Sequence, residues 1–265
     1  MYNSAQLAWK YCLYLMKSSN GKGHGVHSPF VFDFITNVLR DKQADTGFAR
    51  IEAMRTSLSN SRKVLDVLDL GAGSASGNSK QRTVASIARS AAKPARFARL
   101  FFRMIRYYGI DSVLELGTSV GLTTRYLSLA NPPAGVITIE GAPEIAEFTQ
   151  QCFDEEGVRN VLLHTGDFKD VLPGALASMK GKKLVFFDGN HQYAPTMDYF
   201  NAVMQAVSPD DILIFDDVHW SPEMEKAWSE IKKNEEVACT IDLFFIGIVF
   251  FRKEFKEKLD FAIHF

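Results

Sequence analysis

Long hydrophobic runs are missing from this 265-residue chain. The longest, Leu243 to Phe251, is strand length, well short of the ~20 residues that a membrane-spanning helix needs. Nor do the first residues read as a signal peptide, since Lys10 interrupts the apolar run and no small-residue cleavage site follows. Cysteine is scarce: Cys12, Cys152 and Cys239 are far apart and odd in number. That pattern excludes a disulfide framework, shows no zinc spacing, and suits buried thiols in a reducing cytoplasm. Acidic residues are absent between Asp69 and Asp111, a segment that holds eight Lys and Arg.

The missing acids belong to a wider asymmetry. Residues 1–110 carry 17 Lys and Arg against 6 Asp and Glu, whereas residues 111–265 carry 13 against 25. Such a split implies either an anionic partner or two halves that attract each other. The rest of the composition is that of an ordered protein. Apolar residues make up 46% and charged residues 23%, with a mean hydropathy of -0.06. This is enough apolar material for a sizeable core, so wholesale disorder is excluded.

The patterning predicts a helix over 5–18, apolar on most sides, then a Gly/His loop from Gly21 to Pro29 and a helix from Pro29 to Arg40. Residues 41–62 are polar and mixed. A strand is expected over Val64–Leu70, a helix around 80–91, and another opened by Pro94. The apolar face of that last helix is Phe97, Leu100, Phe101, Met104, Ile105 and Tyr108, and Arg96, Arg99, Arg103 and Arg106 recur on the opposite side. From 111 onward, strands and helices alternate. Strands are expected at Ser112–Leu116, Gly135–Glu140, Val161–His164, Lys183–Asp188 and Asp211–Asp216, and two closing strands, antiparallel, at Ala238–Asp242 and Gly247–Arg252. The expected class is α/β: a Rossmann-like, seven-stranded, mostly parallel sheet with an antiparallel last strand. Residues 1–93 form a helical N-terminal cap with a basic segment, and residues 94–265 the main domain.

Two glycine loops compete for a nucleotide. In an open parallel sheet the ligand binds at the carboxyl ends of the strands, and an acid some 20 residues on holds its ribose. After Asp69-Leu70-Gly71-Ala72-Gly73 no acid follows at that distance, so Gly71–Gly77 reads as a turn. After Glu115-Leu116-Gly117-Thr118-Ser119-Val120-Gly121 the next strand ends in Glu140, 23 residues past Gly117. A carboxylate there can accept both ribose hydroxyls. The second loop is therefore the expected cofactor site.

The run from Glu115 to Thr123 resembles motif I of class I S-adenosylmethionine (SAM) methyltransferases, in the catechol and caffeoyl-CoA O-methyltransferase branch. The resemblance spans about 94–252 and includes Glu140 and Gly166-Asp167-Phe168. It implies SAM as cofactor over Gly117, Thr118, Ser119 and Gly121. Glu115, Gly117 and Thr123 would line its methionine end, Glu140 would hold the ribose, and Asp167 would face the adenine amino group. A helix N-cap is the alternative role for Asp167.

Three further carboxylates fall at strand ends: Asp188, Asp216 and Asp217. Crowded together without a cation they would repel one another. A divalent ion with all-oxygen ligands, Mg²⁺, Mn²⁺ or Ca²⁺, would relieve the conflict. They resemble the ligands of the metal-dependent O-methyltransferases, whereas the alternative is that they cap turns or meet basic residues. That branch has Lys three residues after the first metal Asp. Here His191 stands there, a residue suited to general base work. No counterpart of the acid that grips a catechol hydroxyl is found, so catechol is not the expected acceptor. His219 either borders the substrate or stacks on Trp220. The loop with His24 and His27 reads as a lid or as a plain connector.

The expected activity is O-methyl transfer from SAM to a small-molecule acceptor with metal assistance, Asp188 and His191 being catalytic. The alternatives are a metal-independent methyltransferase acting on RNA or another anion, and a non-catalytic binding protein of the same fold. The arginine row reads first as a solvated helix face, so nucleic acid is not an expected partner, nor is a membrane. A homodimer is compatible with the reading.

Overall fold

The computed structural model describes residues 1–19, 27–42, 45–68, 79–91, 93–255 and 257–265. In chain order the elements are α1 (Ser4–Lys17), α2 (Pro29–Phe34, running into a π-helical turn at Ile35–Leu39), α3 (Gly47–Asn60), β1 (Val64–Leu68), β2 (Ser79–Thr83), α4 (Val84–Ala91) and α5 (Ala95–Tyr108). The alternating part comes next, with β3 (Ser112–Leu116), α6 (Leu122–Ala130), β4 (Gly135–Glu140), α7 (Pro143–Glu156), β5 (Val161–Thr165) and α8 (Phe168–Ser178). It ends with β6 (Lys183–Phe187), α9 (Tyr193–Met204), β7 (Ile212–Asp216), α10 (Pro222–Lys233), β8 (Cys239–Asp242), β9 (Ile246–Phe250) and β10 (Leu259–Ala262).

These elements pack as two compact units, Lys42–Gly181 and Met1–Asp41 with Lys182–Phe265. Residues 1–93 thus do not segregate together; the first 41 belong to one unit and the remainder to the other.

In Lys42–Gly181, β3, β4 and β5 are parallel neighbours, and β1 and β2 form an antiparallel pair. Val113, Leu114, Leu116, Val136 and Ile139 are buried, as expected where crossover helices cover both faces of a parallel sheet. Helix α5 buries the apolar face read from its sequence. Its arginines find partners within the unit: Arg99 lies 5.2 Å over the Phe48 ring and Arg106 5.5 Å over Phe102, with Asp45 at 3.7 Å.

In the other unit the strand order is β10-β8-β9-β7-β6. Strands β6 and β7 are parallel, and β9 runs antiparallel to both β7 and β8, as the sequence pattern predicts for the closing strand. The structure adds β10, parallel to β8, from a tail that carries no clear pattern. Helix α10 shows why its segment is helical: the Ser221 hydroxyl accepts from Met224 N at 3.1 Å, Pro222 opens the first turn, Glu223 and Glu225 lie near the positive end, and Lys232 and Lys233 near the negative end.

Two expectations are corrected. The stretch 41–62 holds α3, whose buried residues Phe48, Ile51 and Leu58 are too few to stand out in a polar sequence. The helix expected around 80–91 starts only at Val84, because Ser79–Thr83 pairs with β1. Among the described residues no helix is long and apolar enough to cross a membrane.

Candidate active site

Strand β3 ends in a loop that its own hydrogen bonds shape. Gly117 N and Thr118 N donate to Ile139 O at 2.9 and 3.2 Å, and Gly121 N donates to Thr118 O at 2.9 Å. Gly117 and Gly121 take φ values of 106° and 69°, in the region that glycine adopts without steric cost. The Thr118 hydroxyl lies 2.6 Å from that of Thr138. Glu140 reaches this loop: its Oε2 accepts from Ser119 N at 2.7 Å and its Oε1 from Ala142 N at 2.9 Å. Burial pushes the Glu140 pKa up, against the pull of those backbone donors. Gly141 is a third backbone donor to this carboxylate, and a carboxylate offers about four acceptor sites, so it can still receive a ribose hydroxyl. The Ser119 hydroxyl is buried with no hydrogen-bond partner among the described residues. A polar group left in this way fits a loop that receives a polar ligand.

Glu115 is fully buried, and its Oε2 accepts from the hydroxyls of Thr124 at 2.5 Å and Thr138 at 2.7 Å. Thr123 is buried in the first turn of α6. Asp167 is the N-cap of α8, accepting from Lys169 N at 2.8 Å, which realises the alternative role named for it. Sequence reading did not identify Arg125. Its guanidinium donates to Val120 O at 3.0 Å and Gly121 O at 2.8 Å, pairs with Glu156, and lies 4.8 Å over the Phe153 ring. Thr149 also donates to Ser119 O at 2.8 Å. The one available signal was an arginine among the apolar residues of the segment that follows the loop. The Gly71–Gly77 loop and His24 lie outside the described residues, and His27 is exposed.

In the second unit, the ends of β6 and β7 bring Asp188, His191 and Asp216 together. One ligand atom from each lies within 4.8 Å of the others. His191 Nε2 is 3.9 Å from Asp188 Oδ1 and 4.0 Å from Asp216 Oδ2, too far for direct hydrogen bonds. The Asp216 side chain is fully buried. Asp217 is not in this set; its backbone turns at φ 53° and its N–H donates to Phe245 O at 2.7 Å. The described geometry therefore groups two of the three expected carboxylates with the expected base. His219 stacks on Phe244, with centroids 5.1 Å apart, and not on Trp220, and both of its ring nitrogens face carboxylates.

Residues 114–218 match the family model described as a methyltransferase domain. No curated protein sequence matches the chain. Among solved structures, the chain is similar to the O-methyltransferase TomG from Streptomyces achromogenes, solved with SAM, at 20% identity and a TM-score of 0.52 over 61% of this chain and 82% of that one. It is similar to the Podospora anserina methyltransferase PaMTH1, solved with the demethylated product SAH, at 11% identity and a TM-score of 0.57 over 96% and 98%. It is also similar to a caffeoyl-CoA O-methyltransferase candidate from Staphylococcus aureus, at 14% identity and a TM-score of 0.55 over 63% and 88%. At these identities the likeness is one of fold, the Rossmann-like fold of class I methyltransferases.

Proposed function

We propose, for a SAM-dependent methyltransferase whose methyltransferase domain spans residues 114–218, that the methyl group passes to an oxygen of a small acceptor, with Asp188 and Asp216 holding a divalent ion and His191 taking the proton. The observation that carries this reading is the convergence of Asp188, His191 and Asp216 within 4.8 Å.

SAM supplies an electrophilic methyl group, and a divalent ion lowers the pKa of an acceptor hydroxyl. Glu140 holds the ribose through its remaining acceptor sites, and Ser119 offers its hydroxyl to the same ligand. Arg125 and Thr149 hold the loop carbonyls of Val120, Gly121 and Ser119. Asp188 and Asp216 offer hard oxygen donors. His191 Nε2 is bonded to neither carboxylate, which leaves its lone pair for the acceptor proton. With SAM bound, its methyl group would pass from sulfur to that oxygen as His191 takes the proton, leaving a methyl ether and S-adenosylhomocysteine.

The test is titration with Mn²⁺ beside single-turnover kinetics. Asp188→Asn should abolish Mn²⁺ binding while SAM affinity stays within about twofold, Asp188 being no SAM contact in this reading. His191→Gln should retain Mn²⁺ binding and lose about 10²–10⁴ in rate. Full activity in excess EDTA would overturn the metal. Loss of Mn²⁺ affinity in His191→Gln equal to that in Asp188→Asn would make His191 a ligand and remove it as the base.

A further inference from the structure

Residues 188–192 carry the chain from the end of β6 into α9, and they do so through a left-handed residue. Asn190 has φ 52°, a conformation rare for any side chain but tolerated better by Asn than by most. Its carbonyl accepts from Gln192 N at 2.5 Å, which closes a three-residue turn with His191 at its centre. The turn decides where His191 sits. In an extended chain three residues advance about 10 Å, and residues an odd number apart face opposite sides, so His191 would run on past Asp188. The turn brings its Nε2 back to 3.9 Å from Asp188 Oδ1 and 4.0 Å from Asp216 Oδ2.

The Asn190 side chain adds little to this. Its Nδ2 lies 3.5 Å from the Tyr199 hydroxyl, at the outer limit of a hydrogen bond. Its Oδ1 is buried with no partner among the described residues. A buried amide so poorly satisfied costs stability. What the residue supplies is a backbone that accepts positive φ.

We infer that Asn190 is a positioning residue, whose left-handed backbone, and not its amide, holds His191 on the rim between Asp188 and Asp216. The inference rests on the reading of His191 as the base, and it adds the device that places it. Glycine adopts this φ freely, alanine pays the full left-handed penalty, and valine is a genuine outlier there. The three substitutions therefore separate backbone from side chain.

Crystal structures of Asn190→Gly, Asn190→Ala and Asn190→Val test the placement without any ligand. His191 should stay beside both carboxylates in Asn190→Gly and leave them in Asn190→Val. Should Asn190→Val fail to fold, Asn190→Ala still decides, since the left-handed penalty shifts its turn toward the displaced form by up to about 30-fold. Bound Mn²⁺ gives a second readout, through paramagnetic broadening of the His191 ring signals, assigned by their loss in His191→Gln. The parent and Asn190→Gly should show the broadening, and Asn190→Val should lose it while still binding Mn²⁺. A merely structural role would not follow glycine rescue in this signal. His191 unmoved in both Asn190→Val and Asn190→Ala would overturn the inference. So would displacement in Asn190→Gly, which would assign the work to the amide. A parent that binds no Mn²⁺ would instead count against the metal reading, and the crystal structures would still decide the role of Asn190.

Discussion

His219 Nε2 lies 2.8 Å from Asp242 Oδ2, and the other ring nitrogen lies 3.1 Å from Glu225 Oε1. One imidazole is held between two carboxylates. Trp228 Nε1 donates to the same Asp242 oxygen at 3.0 Å, and Tyr2 donates to Glu225 at 2.7 Å. Burial opposes the imidazolium, but Asp242 and Glu225 outweigh it and raise its pKa above 6.5. Asp242 and Glu225 move the other way; burial pushes each up, and hydrogen bonds, from His219 to Asp242 and from Tyr2, Lys10 and His219 to Glu225, bring each below its ordinary value.

The linkage gives a pH optimum for stability. The His219 contribution is full below its unfolded pKa of 6.5 and is lost as pH rises through the raised folded value. The carboxylate contributions are present above their unfolded values of 3.8 and 4.5 and are lost as pH falls through the lowered folded ones. Thermal unfolding should therefore show its highest Tm between about pH 4.5 and 6.5. A tenfold change in proton affinity is worth about 1.4 kcal/mol, and Tm moves by roughly 2–4 °C per kcal/mol in a chain of this size. In His219→Gln the decline above pH 6.5 should disappear; if that variant declines like the parent, the His219 assignment is wrong.

Glu140 gives a prediction on cofactor affinity. In the proposed reading Glu140→Ala removes the acceptor of the ribose hydroxyls, at about 1.5–3 kcal/mol for hydrogen bonds to a charged group. That is roughly a 10- to 150-fold weaker Kd for SAM, read by calorimetry. Asp69→Ala, at the other glycine loop, should bind SAM as the parent does. Because burial raises the Glu140 pKa, parent affinity should also fall with decreasing pH while the solution is still above pH 4.5, and Glu140→Ala should lack that dependence.

The shape of the loop after β3 was legible because its determinants are contiguous. Glycines at a strand end and an acid at the next strand end are a local pattern, and the Ser119–Glu140 bond joins them. Asp188, His191 and Asp216 were legible for a related reason, since strand ends share a rim. Asp217 shows the limit, because alternation along a strand stops at its last residue and a left-handed backbone turn at the next one breaks the register. Arg125 was invisible as a clamp, its partner Glu156 being 31 residues away with no pattern linking them. His219 was read against its neighbour Trp220, but Phe244 arrives from the β8–β9 connection. Helix α1 was read as apolar on most sides, yet Tyr14 is its one buried residue, because apolarity alone does not say which faces are covered.

Arg125 should matter for stability beyond its charge. Its side chain is 3% exposed and that of Glu156 12%. Removing one partner strands a buried charge, which typically costs about 3–5 kcal/mol. Glu156→Gln should therefore lower the unfolding free energy markedly in urea titration. Arg125→Met with Glu156→Met, which removes both charges, should recover part of that loss. A double variant that is less stable than the single would show that the loop carbonyls of Val120 and Gly121 depend on the guanidinium more than Glu156 does.

Gly121 separates backbone strain from packing at the cofactor loop. Gly157 has nearly the same φ, 71° against 69°, but a Cβ there meets nothing within 4 Å. Gly157→Ala should therefore cost only the left-handed conformation, about 1–2 kcal/mol. A Cβ at Gly121 falls 2.6 Å from Phe153 Cζ and 2.9 Å from Arg125 Nη1. Phe153 is 1% exposed and Arg125 is held by Val120, Gly121 and Glu156, so neither side chain can swing clear without breaking other contacts. Gly121→Ala should cost about 1–3 kcal/mol more than Gly157→Ala, the usual penalty of overpacking, and it should weaken SAM binding where Gly157→Ala does not. Paired urea titrations with and without saturating SAM measure both quantities. Equal losses in the two variants would mean that the loop accommodates the methyl group and that the close approach of Phe153 does not constrain it.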